Sequence, residues 1–391
     1  MKGIYVHSRK INSSEYQMAG IYIHIPFCRQ ACHYCDFHFT TTQYYRSEII
    51  DAMVKEIEKR KNYLPEKKIS TIYFGGGTPS LLNEEELSRI LNSIHKNLSV
   101  EGEIEFTLEA NPDDLTSQKL RMLKKIGVNR LSIGVQSFRN EDLKWMNRAH
   151  SVEQADNSVR DAAQLGFSNL SIDLIYGLPT SALDHWKKNL EEAIALPIQH
   201  LSCYCLTVEE HTALSHFVKK GKVTEKKDEA SSTEFLFAHD FLEQNNFRHY
   251  EVSNYSIANS ESKHNSNYWN NTHYLGIGPS AHSYNGNSRR WNVANNILYL
   301  NSVKNNQSFS EEEILTLEQS FNEYLMTRLR TSNGISFSEI ENLFGKNSAD
   351  ELKKKILAYK KLNHFIQENG KLILTPEGML NLNPIVIEWM L

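Results

Sequence analysis

An α/β fold is what this 391-residue sequence predicts: an open, partial (β/α)6 barrel followed by a small C-terminal winged-helix-like module. Three observations carry that expectation. Short β-branched or aromatic runs alternate six times with segments of helical period between residues 21 and 206. The residues best suited to chemistry fall just after those runs, where the active groups of a (β/α) barrel gather. Near the end, Asn369-Gly370 lies between two apolar runs, and that dipeptide is a preferred two-residue hairpin turn.

Taken in order, the strand candidates are IYIHI (21–25), TIYF (71–74), EIEFTLE (103–109), RLSIGVQ (130–136), NLSIDLIYG (169–177) and HLSCYCL (200–206). Between the first two, Ile49, Ile50, Met53, Val54 and Ile57 form a helical stripe, and Leu87, Ile90, Leu91 and Ile94 form the next. Leu120 and Leu123, then 155–165, continue the pattern. Strand and helix alternating in this way imply parallel pairing with right-handed crossovers. Residues 1–19 read as an N-terminal extension without a usable motif, 20–207 as the barrel and 208–310 as a less regular extension of it. Residues 311–391 read as the winged-helix-like module, with helical spacing at Leu352, Ile356 and Tyr359 before the hairpin.

Composition bounds the function. Charged residues make up 23% and apolar ones 40%, and the net charge of −4 gives no general attraction for nucleic acid or an anionic membrane. In the tail Lys353, Lys354 and Lys355 are mixed with acidic residues, so no basic stripe marks a specific nucleic-acid surface. No apolar run approaches the ~20 residues that span a bilayer, and the start lacks the apolar core of a secretion signal. A cytoplasmic protein is expected, touching membranes at most transiently and peripherally. Five cysteines in such a chain argue for metal or redox chemistry rather than disulfides.

Three of the five, Cys28, Cys32 and Cys35, form CxxxCxxC directly after the first strand. Tetrahedral zinc sites are closed by four ligands, which here would need His33 or His38. A [4Fe–4S] cube held by three thiolates leaves one iron open for another ligand. Cys203 and Cys205, two apart in a strand, point to one face and read as small core residues. After the second strand comes GGGTP (75–79), where glycines let the backbone approach a small ligand closely and leave amide groups to hold it.

The runs IYIHIPFC…C..CDF, YFGGGTPS, LEANPDDL, LSIGVQSF, NRAH and IDLIYGLP together resemble the oxygen-independent coproporphyrinogen III oxidase family of radical S-adenosyl-L-methionine (SAM) proteins. The likeness runs from about residue 20 through the C-terminal module. It implies that Cys28, Cys32 and Cys35 hold a [4Fe–4S] cluster whose open iron takes the methionine end of SAM. It also implies SAM contacts at Tyr22, Gly76, Gly77, Thr78, Glu109, Gln136, Arg148 and Asp173, with Thr207 a looser match. Arg148 suits the methionine carboxylate, and Glu109 or Asp173 can accept from ribose hydroxyls.

One departure separates branches of that family. Members that oxidise coproporphyrinogen III resemble CxxxCxxCxC, and this chain has Phe37 where the fourth cysteine would stand. The CDF form is similar to the heme-chaperone branch, which binds heme and passes it to acceptor proteins. HNSNYW (264–269), read as a loop of the barrel extension, is similar to a stretch of that branch, making His264, Tyr268 and Trp269 the heme candidates. His282, in GPSAHSY, is a second candidate. The alternative is an oxygen-independent coproporphyrinogen III oxidase of porphyrin metabolism.

Overall fold

The computed structural model describes residues 19–66, 68–359 and 362–391; of the expected extension 1–19, all but Ala19 lies outside the described residues. The six expected strands form, as β1 (Ala19–Ile25), β2 (Lys68–Gly76), β3 (Ser99–Ala110), β4 (Arg130–Gln136), β5 (Leu170–Tyr176) and β6 (His200–Cys205). They pair in sequence order and in parallel. A helix returns the chain after each. The first, Arg46–Lys59, buries Ile49, Ile50, Met53 and Ile57 of the stripe its spacing predicts, with Val54 half-buried beside them. Glu84–Asn97 starts at a capping box, in which the Asn83 side chain accepts from the Glu86 amide and Glu86 bonds back to the Asn83 amide. Ser151 and Gln154 do the same for Val152–Gln164.

The sheet does not close. Beyond β6 it continues through β7 (Arg248–Glu251) and β8 (Asn254–Ser256), with β8 antiparallel to β6. Beyond β1 it continues through β9 (Tyr274–Ile277), β10 (His282–Tyr284), β11 (Ser288–Asn292) and β12 (Ser310–Ile314). β9 pairs in parallel with β1, and from β9 to β12 each neighbouring pair is antiparallel. The segment 208–310 is therefore no separate body: it extends both edges of one twelve-stranded sheet. β12 carries that sheet across the expected boundary at 310/311 because its residues pair along β11.

The tail builds its own small sheet, ordered β13 (Ile335–Ser336), β15 (Lys371–Leu374), β14 (Phe365–Glu368). Asn369 and Gly370, at φ 52° and 74°, both take the left-handed conformation that the tight β14–β15 turn requires. Helices Phe337–Phe344 and Lys346–Ala358 precede this hairpin, and Trp389 of the last helix, Leu382–Trp389, is fully buried. The arrangement is that of a winged-helix-like module on a partial barrel.

Candidate cluster and cofactor site

The cysteine loop is built by bonds to residues far along the chain. Its ends are tied where the Thr40 amide donates to Pro26 O and the Cys28 amide to Thr40 O, at 2.9 and 3.0 Å. Its middle is held by Asn147: Gln30 Nε2 donates to Asn147 O, and Asn147 Nδ2 to Ala31 O. The turn after β2 lies flat against it, with Gly77 N on Ile25 O and Thr78 N on Phe27 O. A Cβ at Gly77 would sit 2.7 Å from Phe27 O, so only glycine permits this approach.

The loop and the ends of β2 to β6 enclose a cavity of about 370 Å³. Cys28, Cys32 and Cys35 all line it. Among the described residues no three His, Cys, Asp or Glu side chains converge as they would around a single ion. A cube instead offers a separate iron to each thiolate, so this donor set fits a cluster better than zinc. His33 is spoken for, its Nδ1 on Trp145 O and its ring edge-on to Phe217; His38 Nε2 meets Asn296 Oδ1. Neither lines the cavity.

Burial pushes the Cys35 thiol up to about 12 and raises Cys28 as well. Metal ligation must therefore release protons from these thiols, which makes loading easier as pH rises. Two donors already face the sulfurs: Thr78 Oγ1 is 3.4 Å from Cys28 Sγ, and Arg148 Nη1 is 3.4 Å from Cys32 Sγ.

Eight of the nine positions matched to SAM contacts line the same cavity: Gly76, Gly77, Thr78, Glu109, Gln136, Arg148, Asp173 and Thr207. Arg148 is fixed by Asn111 Oδ1 and Gly134 O, at 2.7 and 2.8 Å, and its Nε is buried without a partner. Gln136 is held at φ 68°, a left-handed conformation costly for a non-glycine, and its amide has no hydrogen-bond partner among the described residues. Strain plus an uncommitted amide at a cavity wall is what a ligand-binding position shows. Glu109 accepts from Tyr73 Oη at 2.7 Å and from the Gly76 amide at 3.1 Å. Burial, against the Tyr73 hydrogen bond, raises its carboxyl to about 7. Asp173 is likewise raised by burial and accepts from Ser132 Oγ at 3.2 Å. Thr207 Oγ1 bonds Glu209.

Tyr22 stands apart. It does not line the cavity; its hydroxyl meets His24 Nδ1 at 3.2 Å and its ring stacks on Tyr73.

His264 and its neighbours differ more from expectation. HNSNYW lies not in a loop but in a short helix, Lys263–Trp269, whose first amides bond the Glu105 carboxylate of β3. His264 is buried among barrel aromatics, 4.9 Å from the Tyr73 ring, with Nδ1 on Thr71 Oγ1 at 2.8 Å and Nε2 on Tyr268 Oη at 3.0 Å. Burial holds its pKa down to about 3. Gly20 leaves the room it occupies, since a Cβ there would be 3.2 Å from His264 Cε1. Trp269 lies outside this stack, under the Arg330 guanidinium.

Some cavity residues were not foreseen. Tyr34, between the second and third cysteines, and Tyr204, at the end of β6, both line it; for Tyr204 the one available signal was its place at a strand end. Cys205 also lines the cavity and is exposed, so the reading of both β6 cysteines as core holds for Cys203 only. They share a face, but β6 carries Cys205 past the core to the rim.

With this geometry established, comparison with known proteins is direct. Residues 22–193 match the Radical SAM superfamily and residues 315–380 the HemN C-terminal domain. Coproporphyrinogen III oxidase (HemN) from Escherichia coli shares the fold, with a TM-score of 0.83 over 96% of this chain and 90% of that one, at 23% identity. Fold and thiol cavity thus define a radical SAM protein. The heme chaperone HemW of Bacillus subtilis (strain 168) is 35% identical over 93% of this chain and 97% of its own length. The HemW heme chaperone of Lactococcus lactis subsp. lactis (strain IL1403) is 35% identical over 83% of this chain and 84% of its own. The chain belongs to the family of the heme chaperone HemW.

Proposed function

We propose that this protein is a heme chaperone: it binds heme and hands it to acceptor proteins, and it carries a [4Fe–4S] cluster coordinated by SAM. The observation that carries the reading is the 35% identity to a heme chaperone over 97% of that relative's length. Phe37 supports it. It stands at the rim of the cavity, 64% exposed, where the oxidase branch has a fourth cysteine.

In this reading Cys28, Cys32 and Cys35 bind the cluster, and a cluster with SAM supplies one-electron chemistry. Arg148 holds the SAM carboxylate, its charge kept in place by Asn111 and Gly134 O. Gln136 and the amides of the 75–79 turn add neutral hydrogen bonds, Glu109 and Asp173 accept from hydroxyls, and Thr207 closes the rim. Tyr22 acts from beneath by packing against Tyr73. No helix among the described residues is long and apolar enough to cross a membrane, in keeping with work in the cytoplasm.

The test is anaerobic reconstitution with iron and sulfide, followed by addition of hemin and then of a heme-free acceptor such as an apo-cytochrome. A stable heme spectrum that passes to the acceptor is expected, with no turnover of coproporphyrinogen III. Formation of protoporphyrinogen IX with consumption of SAM would replace this reading by the oxidase.

A further inference from the structure

We propose that Arg130 of β4 is a positioning residue for SAM: from beneath the cavity its guanidinium supplies the counter-charge to Asp173 and Glu109, the two carboxylates that accept from the cofactor's hydroxyls. The proposal rests on the SAM-cluster part of the function proposed above and assigns a residue outside its contacts.

The six parallel strands bury two unlike faces. Ile21, Ile72, Leu108, Ile133, Ile172 and Leu201 lie fully buried in one core with the helix stripes. One residue along in each strand the character reverses, and the inward face carries Tyr73, Thr107, Ser171 and His200. Arg130 belongs to this polar face, since Ser132 and Gly134, at steps of two beyond it on β4, line the cavity. Strand register sets it between the two carboxylates. Its partner on β3 is Thr107, two residues before Glu109; Glu109 lies opposite Ser132, whose hydroxyl bonds Asp173 of β5. Arg130 itself does not line the cavity.

Arg130 is 1% exposed, and no hydrogen bond or ion pair joins its side chain to any described residue. The Thr107 hydroxyl beside it also lacks a partner. A guanidinium keeps its charge, and a buried charge is tolerated only where another opposes it. Glu105, lower on β3, is spent on the first amides of helix Lys263–Trp269, and Glu251 of β7 holds the Asn254 amide. His200 and His264 are kept neutral by burial and by Arg130 itself, and burial keeps the Tyr73 and Tyr250 phenols protonated. The charges left are Asp173 and Glu109. Burial raises both carboxyls; at Asp173 a Ser202 hydrogen bond and then Arg130 oppose it, ahead of Arg148, and at Glu109 Arg130 again opposes it. One cation on the intervening strand thus favours the charged acceptors, whose hydrogen bonds to a ligand are about twice as strong as neutral ones.

Equilibrium binding of SAM to the reconstituted protein, followed from about pH 6 to about pH 9, tests this. Arg130→Met should load iron and sulfide as wild type does and bind SAM about tenfold more weakly at the acid end. It should recover toward wild-type affinity at the alkaline end, its midpoint raised by about one pH unit. Arg130→Lys, which keeps the charge, should hold the midpoint near that of wild type, and Thr107→Val, which alters the same layer without a charge, should not move it. If Arg130→Met does not fold, Arg130→Gln takes its place and is held to the same rise in midpoint. An unmoved midpoint, or an affinity lost equally at every pH, would reduce Arg130 to packing and overturn the proposal while SAM binding stands. Absence of SAM binding by wild type would overturn the SAM reading with it.

Discussion

The cysteine loop and the His264 helix are the two stretches in which the sequence concentrates residues able to bind metal, and the folded chain treats them oppositely. In the loop, backbone bonds between Pro26, Cys28 and Thr40 and the Asn147 side chain on Ala31 O hold the main chain and leave three thiols facing a cavity. In the helix, the side chains are what the fold consumes: His264 bonds Thr71 and Tyr268, and its ring is packed on Tyr73. Ligating residue types mark where chemistry is possible. Whether a site results depends on which atoms the rest of the structure leaves unpaired.

That contrast can be broken by substitution. The largest effect belongs to the loop: Cys28→Ala, Cys32→Ala or Cys35→Ala should each abolish the cluster, bringing iron and sulfide of the anaerobically purified protein close to zero. Stoichiometric zinc without sulfide in the wild type would instead restore the single-ion reading.

The helix should answer in stability. His264→Ala removes a buried ring and strands the Thr71 and Tyr268 hydroxyls, at a cost of roughly 2–4 kcal/mol in chemical denaturation. A neutral substitution there would show that the barrel interior does not depend on the ring.

Arg148 sharpens the comparison at the cavity wall. Arg148→Ala should lower SAM affinity by about 1.5–3 kcal/mol, the range for a hydrogen bond to a charged group, while iron is retained. Equilibrium binding of SAM measures it, and unchanged affinity would remove Arg148 from the proposed contacts.

A smaller effect follows from the Glu109 carboxyl. Its pKa is raised to about 7 in the folded chain by burial, so its contribution to stability is full below the ordinary carboxylate pKa and is lost as pH rises through about 7. Glu109→Gln has no charge to bury. The variant should match wild type near pH 4 and exceed it by on the order of 1–3 kcal/mol at pH 8, as followed by denaturation of the cluster-free protein. Equal pH dependence in the two would place the charge in water. Smallest of all, Cys203→Ala and Cys205→Ala should leave iron content as it is, although Cys205 lines the cavity.

Much of this molecule could be read before folding. Strand runs are short, β-branched or aromatic, and helix stripes have a period near four, so β1 to β6, the helix at Ile49 to Ile57 and the Asn369-Gly370 turn follow from neighbours in the chain. CxxxCxxC and GGGTP are equally local, and the ends of parallel strands converge by topology, so residues from Gly76 to Thr207 gather around one cavity. What only the tertiary structure decided is which polar atoms stay free. His264 finds its partner 193 residues away in Thr71, and His38 finds Asn296 at a separation of 258. No spacing rule reaches that far, so the sequence by itself puts His264 ahead of His282 without showing that its ring is packed away. The flank β9 to β12, added to β1 from far downstream, leaves His282 exposed on a strand beside Trp291, whose ring lies 6.3 Å away at 26°. Pairing across such distances depends on the completed sheet, and it is that sheet which separates a histidine that fills the core from one left at the surface.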